Sequence, residues 1–253
     1  MRSPSAIARC LAFCAFLVCA PFAVAQNDAA KELTPEQALD ELRSKRDDAD
    51  LSMPEQAAKA GSEAAARGLA SVYDQIRTIA MRRAFVRALS LLAEQQAAAP
   101  AACEKLASIA ANAPEDEVRD PAVAGLGRSA QFGKGLLKQI VDSRVEDHVR
   151  ERALDQHKKL ADANDAAWYR ELWNLEQKQK KAEDGSVLPP EFAGIRLRAF
   201  THLAPTLTEY ELAETLRREP LSKIRRAALL AMNDRSMPKT AEMAAWMLER
   251  VDL

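Results

Sequence analysis

Cysteine is scarce in this chain. Of its four cysteines, Cys10, Cys14 and Cys19 fall within the first 25 residues. That stretch reads as a secretory signal peptide, with Arg2 and Arg9, an apolar run from Leu11 to Ala20, and the small-residue site Ala23-Val24-Ala25 before Gln26. Cleavage there leaves Cys103 alone and excludes an internal disulfide. From Leu11 to Ala25 there are about 15 mostly apolar residues, against roughly 20 needed to cross a bilayer. No later segment approaches that length, so no membrane span is expected. The implied address is periplasmic or secreted, in a bacterial envelope.

Histidine is equally sparse. His148, His157 and His202 are the only three, and they show neither one-turn spacing on a helix nor a tight Cys/His cluster, so no metal site is expected. Aromatic residues make up 5% of the chain, too few for the β-branched and aromatic strands of a β-sandwich. The formal charge is −1 and becomes more negative once Arg2 and Arg9 are removed, which argues against a dedicated nucleic-acid binder. The Gly125-Leu126-Gly127-Arg128-Ser129-Ala130 run fits a relaxed dinucleotide fingerprint as a string, but it ends a helix where that motif needs to follow a strand. No cofactor and no catalytic constellation are expected.

What the chain does contain is a recurring pair. Met81-Arg82, Val118-Arg119, Val149-Arg150, Ile195-Arg196 and Ile224-Arg225 each precede an alanine three or four positions after the apolar residue, at intervals of 29 to 46 residues. Self-similarity at such periods signals stacked supersecondary units. Apolar spacing of 3.6 throughout and no useful strand signal make the chain all-α.

On these residues the chain resembles the HEAT-repeat family in its bacterial short-repeat form, over roughly residues 70 to 253. The resemblance implies a right-handed α-solenoid of about five antiparallel helix pairs plus a terminal helix, with the apolar residue and alanine packed inside. It also implies that each arginine meets an acidic turn residue about six positions earlier. Glu219 fits before Arg225, but the equivalent positions before Arg119, Arg150 and Arg196 hold Ala113, Arg144 and Pro190. Those three arginines lack an obvious local partner and become binding candidates.

Three parts are expected: the signal peptide at 1–25, an acidic N-terminal arm and helix at 26–69, and the solenoid at 70–253. In the arm, Thr34, Pro35 and Gln37 form a capping box, and Leu39 and Leu42 give a thin apolar stripe that predicts loose docking. A helix starts at Ser52-Met53-Pro54-Glu55, with a break near Gly68. Beyond it a single apolar face runs from Val72 to Leu92. Pairs then open at Pro100, Lys134, Asn164 and Thr206, where Thr206 and Glu209 predict a second capping box. Ser236 and Pro238 start a last helix.

Two surfaces stand out. Trp168, Leu172 and Leu175 share one helix face, while Tyr169 and Trp173 share the adjacent one, which either lies in the core or opens as an aromatic anchor. Arg217 and Arg218 begin a basic stretch that reaches Arg235. The reading that follows is an exported, non-enzymatic scaffold or adaptor for another protein, whose candidate binding residues are Tyr169, Trp173, Arg119, Arg150, Arg196, Arg217 and Arg218. Two alternatives are a HEAT-like lyase or enzyme accessory subunit, and a binder of an anionic polymer or lipid through residues 217–235.

Overall fold

A computed structural model describes residues 33–176 and 192–236. The signal peptide, the Pro189-Pro190 helix start and the final helix from Ser236 onward lie wholly or largely outside the described residues. Within them the chain is all-α, with twelve α-helices and no strand. These are α1 (Pro35–Lys45), α2 (Met53–Ala58), α3 (Glu63–Tyr73), α4 (Ile79–Leu92), α5 (Ala99–Asn112), α6 (Asp116–Leu126), α7 (Gly133–Asp142), α8 (Asp147–Leu160), α9 (Ala166–Trp173), α10 (Ala193–Leu203), α11 (Glu209–Arg218) and α12 (Ser222–Asp234).

The packing is paired and serial. Each odd-numbered helix packs on the even one that follows it. Every even helix also packs on the next even helix, from α2 through α12, while α1, α3, α5 and α7 make a matching series on the odd side. The repeated motif explains the even series: Met81, Val118, Val149, Ile195 and Ile224, with Ala84, Ala122, Ala153, Ala199 and Ala228, are all 0% exposed. A short alanine beside a branched or long apolar residue lets helix backbones approach while the larger group fills the gap, giving the interior density proteins need.

The N-terminal helices belong to the same core. The capping box at Thr34 and Gln37 forms as the sequence predicts. Loose docking does not follow, because Ala38 and Leu42 are fully buried and α1 packs on both α2 and α3. Asp47, just past α1, accepts hydrogen bonds from the Arg77 and Thr78 backbone amides and from Thr78 Oγ1, tying this segment to the start of α4.

Several boundaries differ from the sequence expectation. The break after α2 sits at Gly61, which has φ +59°, a left-handed conformation that favours glycine. Gly68 lies inside α3, where Leu39 Cδ2 would meet an added Cβ at 2.5 Å. Glycine there serves close packing. The face from Val72 to Leu92 is interrupted between Tyr73 and Ile79, so Ile79 and Leu91 are exposed while Val72 and Ile76 are buried. Before α9 the expected cap at Asn164 gives way to a capping box of Asp162 with Asp165 around the 3-10 turn Ala163–Asp165, and Asp165 is the N-cap position of α9 itself. At α11 the box is Thr208 with Glu211, two residues beyond the expected pair.

Candidate interaction groove

The motif arginines come first because sequence reading left them without partners. In the structure four of them make the same bond: the Nε atoms of Arg82, Arg119, Arg150 and Arg196 donate to the carbonyls of Ile76, Ala110, Val141 and Trp173, at 3.0, 3.2, 2.7 and 2.7 Å. Each carbonyl lies at or just beyond the C-terminal end of the preceding helix, where intrahelical donors run out. The terminal nitrogens then reach forward. Arg82 meets Glu115, Arg119 meets Glu146, and Arg196 grips Glu219 through two bonds of 3.2 and 2.8 Å. Arg225 donates to the carbonyls of Glu219 and Pro220.

The ladder exists, but the acids that meet Arg82, Arg119 and Arg196 lie in the following pair, while Arg225 turns back to the backbone of Glu219, six positions earlier. Glu115 and Glu146 are helix N-cap residues four positions before Arg119 and Arg150, and each serves the arginine of the preceding pair. Arg119 and Arg196 are 4% and 8% exposed, so they hold the stack and leave little to offer a ligand. Arg119 keeps the Glu146 carboxyl at about 2. Arg150 bonds Asp147 at 3.2 Å and lies 4.9 Å above the Phe192 ring.

The aromatic cluster also resolves differently from its symmetric appearance. Tyr169 is fully buried, with its Oη 3.0 Å from His157 Nδ1 and its ring 4.0 Å from that of His202. It is a core residue, and no surface remains on it to anchor a partner. Trp168 is buried too and donates from Nε1 to Asp142 at 3.1 Å. His157 is 0% exposed, and its Nε2 has no hydrogen-bond partner, with Asp165 Oδ1 3.8 Å away.

Burial holds the His157 pKa below its ordinary value near 6.5, opposed by Asp165 and reinforced by Lys134, Lys138 and His202; His202 is likewise depressed by burial and Lys158. A depressed histidine favours the neutral form in the folded state, so the unfolded chain binds more protons as pH falls below about 6.5. Stability is therefore expected to be full above that value and to be lost progressively as pH falls below it. Melting temperatures across this range check it. His157→Gln is expected to flatten the profile, and an unchanged acid limb in that variant would assign the loss to other groups.

Trp173 opens outward. It is half-buried, and its ring packs edge-on against Phe200 at 5.1 Å and 61°. Beside it lies a groove of about 410 Å³ bounded by α9, α11 and the turn before α12. Tyr210 also lines it, at 73% exposure. The Arg196–Glu219 pair, Glu211, Glu214 and Arg218 complete the polar lining. Arg170 and the Thr208 backbone amide both bond Glu211, and they hold its carboxyl below the usual range. Glu214 receives both Arg217 and Arg218, at 3.4 and 2.7 Å.

Sequence reading missed Tyr210, although the signal was present. Leu212 and Leu216 mark the core face of α11, and residue 210 lies off that face.

The basic stretch from 217 to 235 is divided by the fold. Arg225 is 2% exposed, Arg235 donates to the Leu207 carbonyl, and Arg217 and Arg218 share Glu214 on the groove rim. Lys223 and Arg226 of the same stretch are exposed. Cys103 is fully buried, and burial pushes its thiol pKa up. Among the described residues no group of His, Cys, Asp and Glu gathers as a metal site, and no helix is long and apolar enough to cross a membrane.

No protein-family model, no curated protein and no solved structure matches this chain.

Proposed function

We propose that this chain is an exported, HEAT-like right-handed α-solenoid that acts as a protein-interaction scaffold without chemistry of its own. The serial even-helix packing and the forward arginine ladder support the solenoid reading. Stacked pairs of this kind present extended surfaces. The observation that carries the interaction reading is the groove lined by Trp173 and Tyr210. A half-buried tryptophan and a largely exposed tyrosine line the same cleft, and aromatic anchors of this type dominate binding energy at protein interfaces. Elsewhere the motif arginines and Tyr169 are consumed by packing.

The test places a photoactivatable crosslinking residue at Tyr210 in the native host compartment, with Arg83 on α4 as the control position. Discrete adducts at 210 and none at 83 are expected. Equal adduct patterns at both positions would remove the groove as the binding surface. Because Tyr210 is exposed, Tyr210→Ser is expected to change unfolding free energy by no more than about 0.5 kcal/mol, so lost partner binding in that variant reports on the surface and not on folding. A denaturant melt supplies the check.

A further inference from the structure

We infer that the buried His157–Tyr169 pair is an acid-sensitive latch on α9, and that its opening withdraws Trp173 from the groove. The latch stands on packing geometry, and only its consequence for binding rests on the interaction reading.

Two histidine rings lie against the buried Tyr169 ring, His157 at 5.7 Å and 63° and His202 at 4.0 Å and 35°. Burial pushes the Tyr169 hydroxyl pKa up, so the phenol keeps its proton and donates it to His157 Nδ1 at 3.0 Å. That fixes the tautomer. The neutral imidazole accepts at Nδ1 and carries its own proton on Nε2. A second proton must enter at Nδ1, where it sets a donor against a donor. The bond that holds Tyr169 to α8 is then lost.

The surroundings give the new charge little relief. Facing His157 are Lys134 and Lys138 from α7, Asp165 from the turn before α9, Tyr169 from α9 and His202 from α10. Two fixed cations thus oppose one carboxylate. Asp165 lies 3.8 Å from Nε2 and is already shared, taking Lys134 at 2.7 Å and the Asp162 amide at 2.8 Å. His202 in turn faces Lys158 and Asp165. An imidazolium enclosed in this way regains solvation by leaving the site.

Which element gives way follows from the packing. α8 and α10 belong to the even series and have neighbours before and after them, whereas α9 has eight residues and stands outside the odd-side series that runs from α1 to α7. Its ring anchors are Trp168 on Asp142, Tyr169 on His157 and Trp173 on Phe200. Short elements with few such anchors open below the global unfolding free energy. Trp173 is the last residue of α9, so this part of the groove lining moves with the helix.

The experiment follows amide hydrogen exchange of the full chain at about pH 7 and about pH 5.5, corrected for the intrinsic pH dependence of exchange. Amides of 166–173 are expected to be less protected than those of α4 at both values and to be insensitive to low urea, the mark of a local opening. On acidification they are expected to lose protection by about tenfold, which is what one histidine of ordinary value near 6.5 supplies at that pH once freed from burial. His157→Gln, which does not titrate, is expected to abolish this loss. Tyr169→Phe keeps the ring and drops the hydroxyl, and is expected to lower α9 protection at about pH 7 by about fivefold. Crosslinking at position 210 is expected to fall at about pH 5.5 in the parent and to persist there in His157→Gln.

An α9 that shares the protection and urea dependence of α4 overturns the inference, because the helix then opens only with the whole chain. So does an acid response that survives His157→Gln, and so does α9 protection indifferent to Tyr169→Phe. Adducts at 210 undiminished by acid sever the latch from the groove and overturn it as well. A position 210 silent at both pH values removes the groove reading instead, and the exchange data alone then decide for or against the latch.

Discussion

Arg196→Ala is expected to lower the unfolding free energy by about 3–5 kcal/mol, the range for breaking a buried ion pair from one side. Its side chain and that of Glu219 are 9% and 6% accessible, so the orphaned carboxylate cannot recover water without opening the α10–α11 junction. The Trp173 carbonyl loses its donor in the same step. Arg119→Ala is expected to cost less, because Glu146 is 61% accessible and rehydrates in place. The double variant Arg196→Met/Glu219→Leu is expected to regain most of the loss, since a paired charge replaced by apolar volume is often near neutral. It does not regain all of it: Glu219 also accepts from the Leu221 amide, and that bond goes too. Urea melts of the three variants decide the matter, and an Arg196→Ala protein within about 0.5 kcal/mol of the parent would show that the rung is ornamental.

The second large effect concerns two glycines one residue apart. At Gly133 an added Cβ would stand 1.9 Å from the Leu126 carbonyl oxygen, which belongs to the backbone at the end of α6. Gly133→Ala is therefore expected to destabilise by about 2–3 kcal/mol, since overpacking against backbone moves whole helices. At Gly135 an added Cβ meets nothing within 4 Å, and alanine is the better helix former, so Gly135→Ala is expected to stabilise by about 0.5–1 kcal/mol. The opposite signs are the test, read as melting temperatures of two single variants. If both lowered stability equally, the α6–α7 approach would not be what holds glycine at 133. The two glycines in the first turn of α7 thus divide into a packing requirement and a free position.

How much of this was legible in the sequence varies by the range of the force involved. Helix periodicity and capping are local, so the Thr34 box, the helix opened at Pro100 and the buried Val-Arg-x-x-Ala positions could be read directly. The acids of the ladder could not, because guanidinium groups reach forward across a pair boundary to Glu115, Glu146 and Glu219. Propensity likewise misplaced the early break. Gly61 and Gly68 cost the same in an isolated helix, and only the position of Leu39 separates them. Tyr169 and Trp173 share a helix face by spacing, yet α8 and α10 cover the first with His157 and His202 and leave the second half open. Periodicity tells which side of a helix is apolar and not how far the neighbour extends over it.

The forward direction of the arginine ladder has an evolutionary corollary. The pair α5–α6 carries both halves of the device, Glu115 for its predecessor and Arg119 for its successor, so a copy of that pair inserts into the series without orphaning either group. The chain can lengthen by copying one unit whole. The junction after α8 differs: among the described residues Arg150 lies over the Phe192 ring and meets no acid of the next pair, and the motif interval is the longest, from Val149 to Ile195. That junction is where a copied unit would not fit unaltered, and it marks the seam in an otherwise interchangeable series.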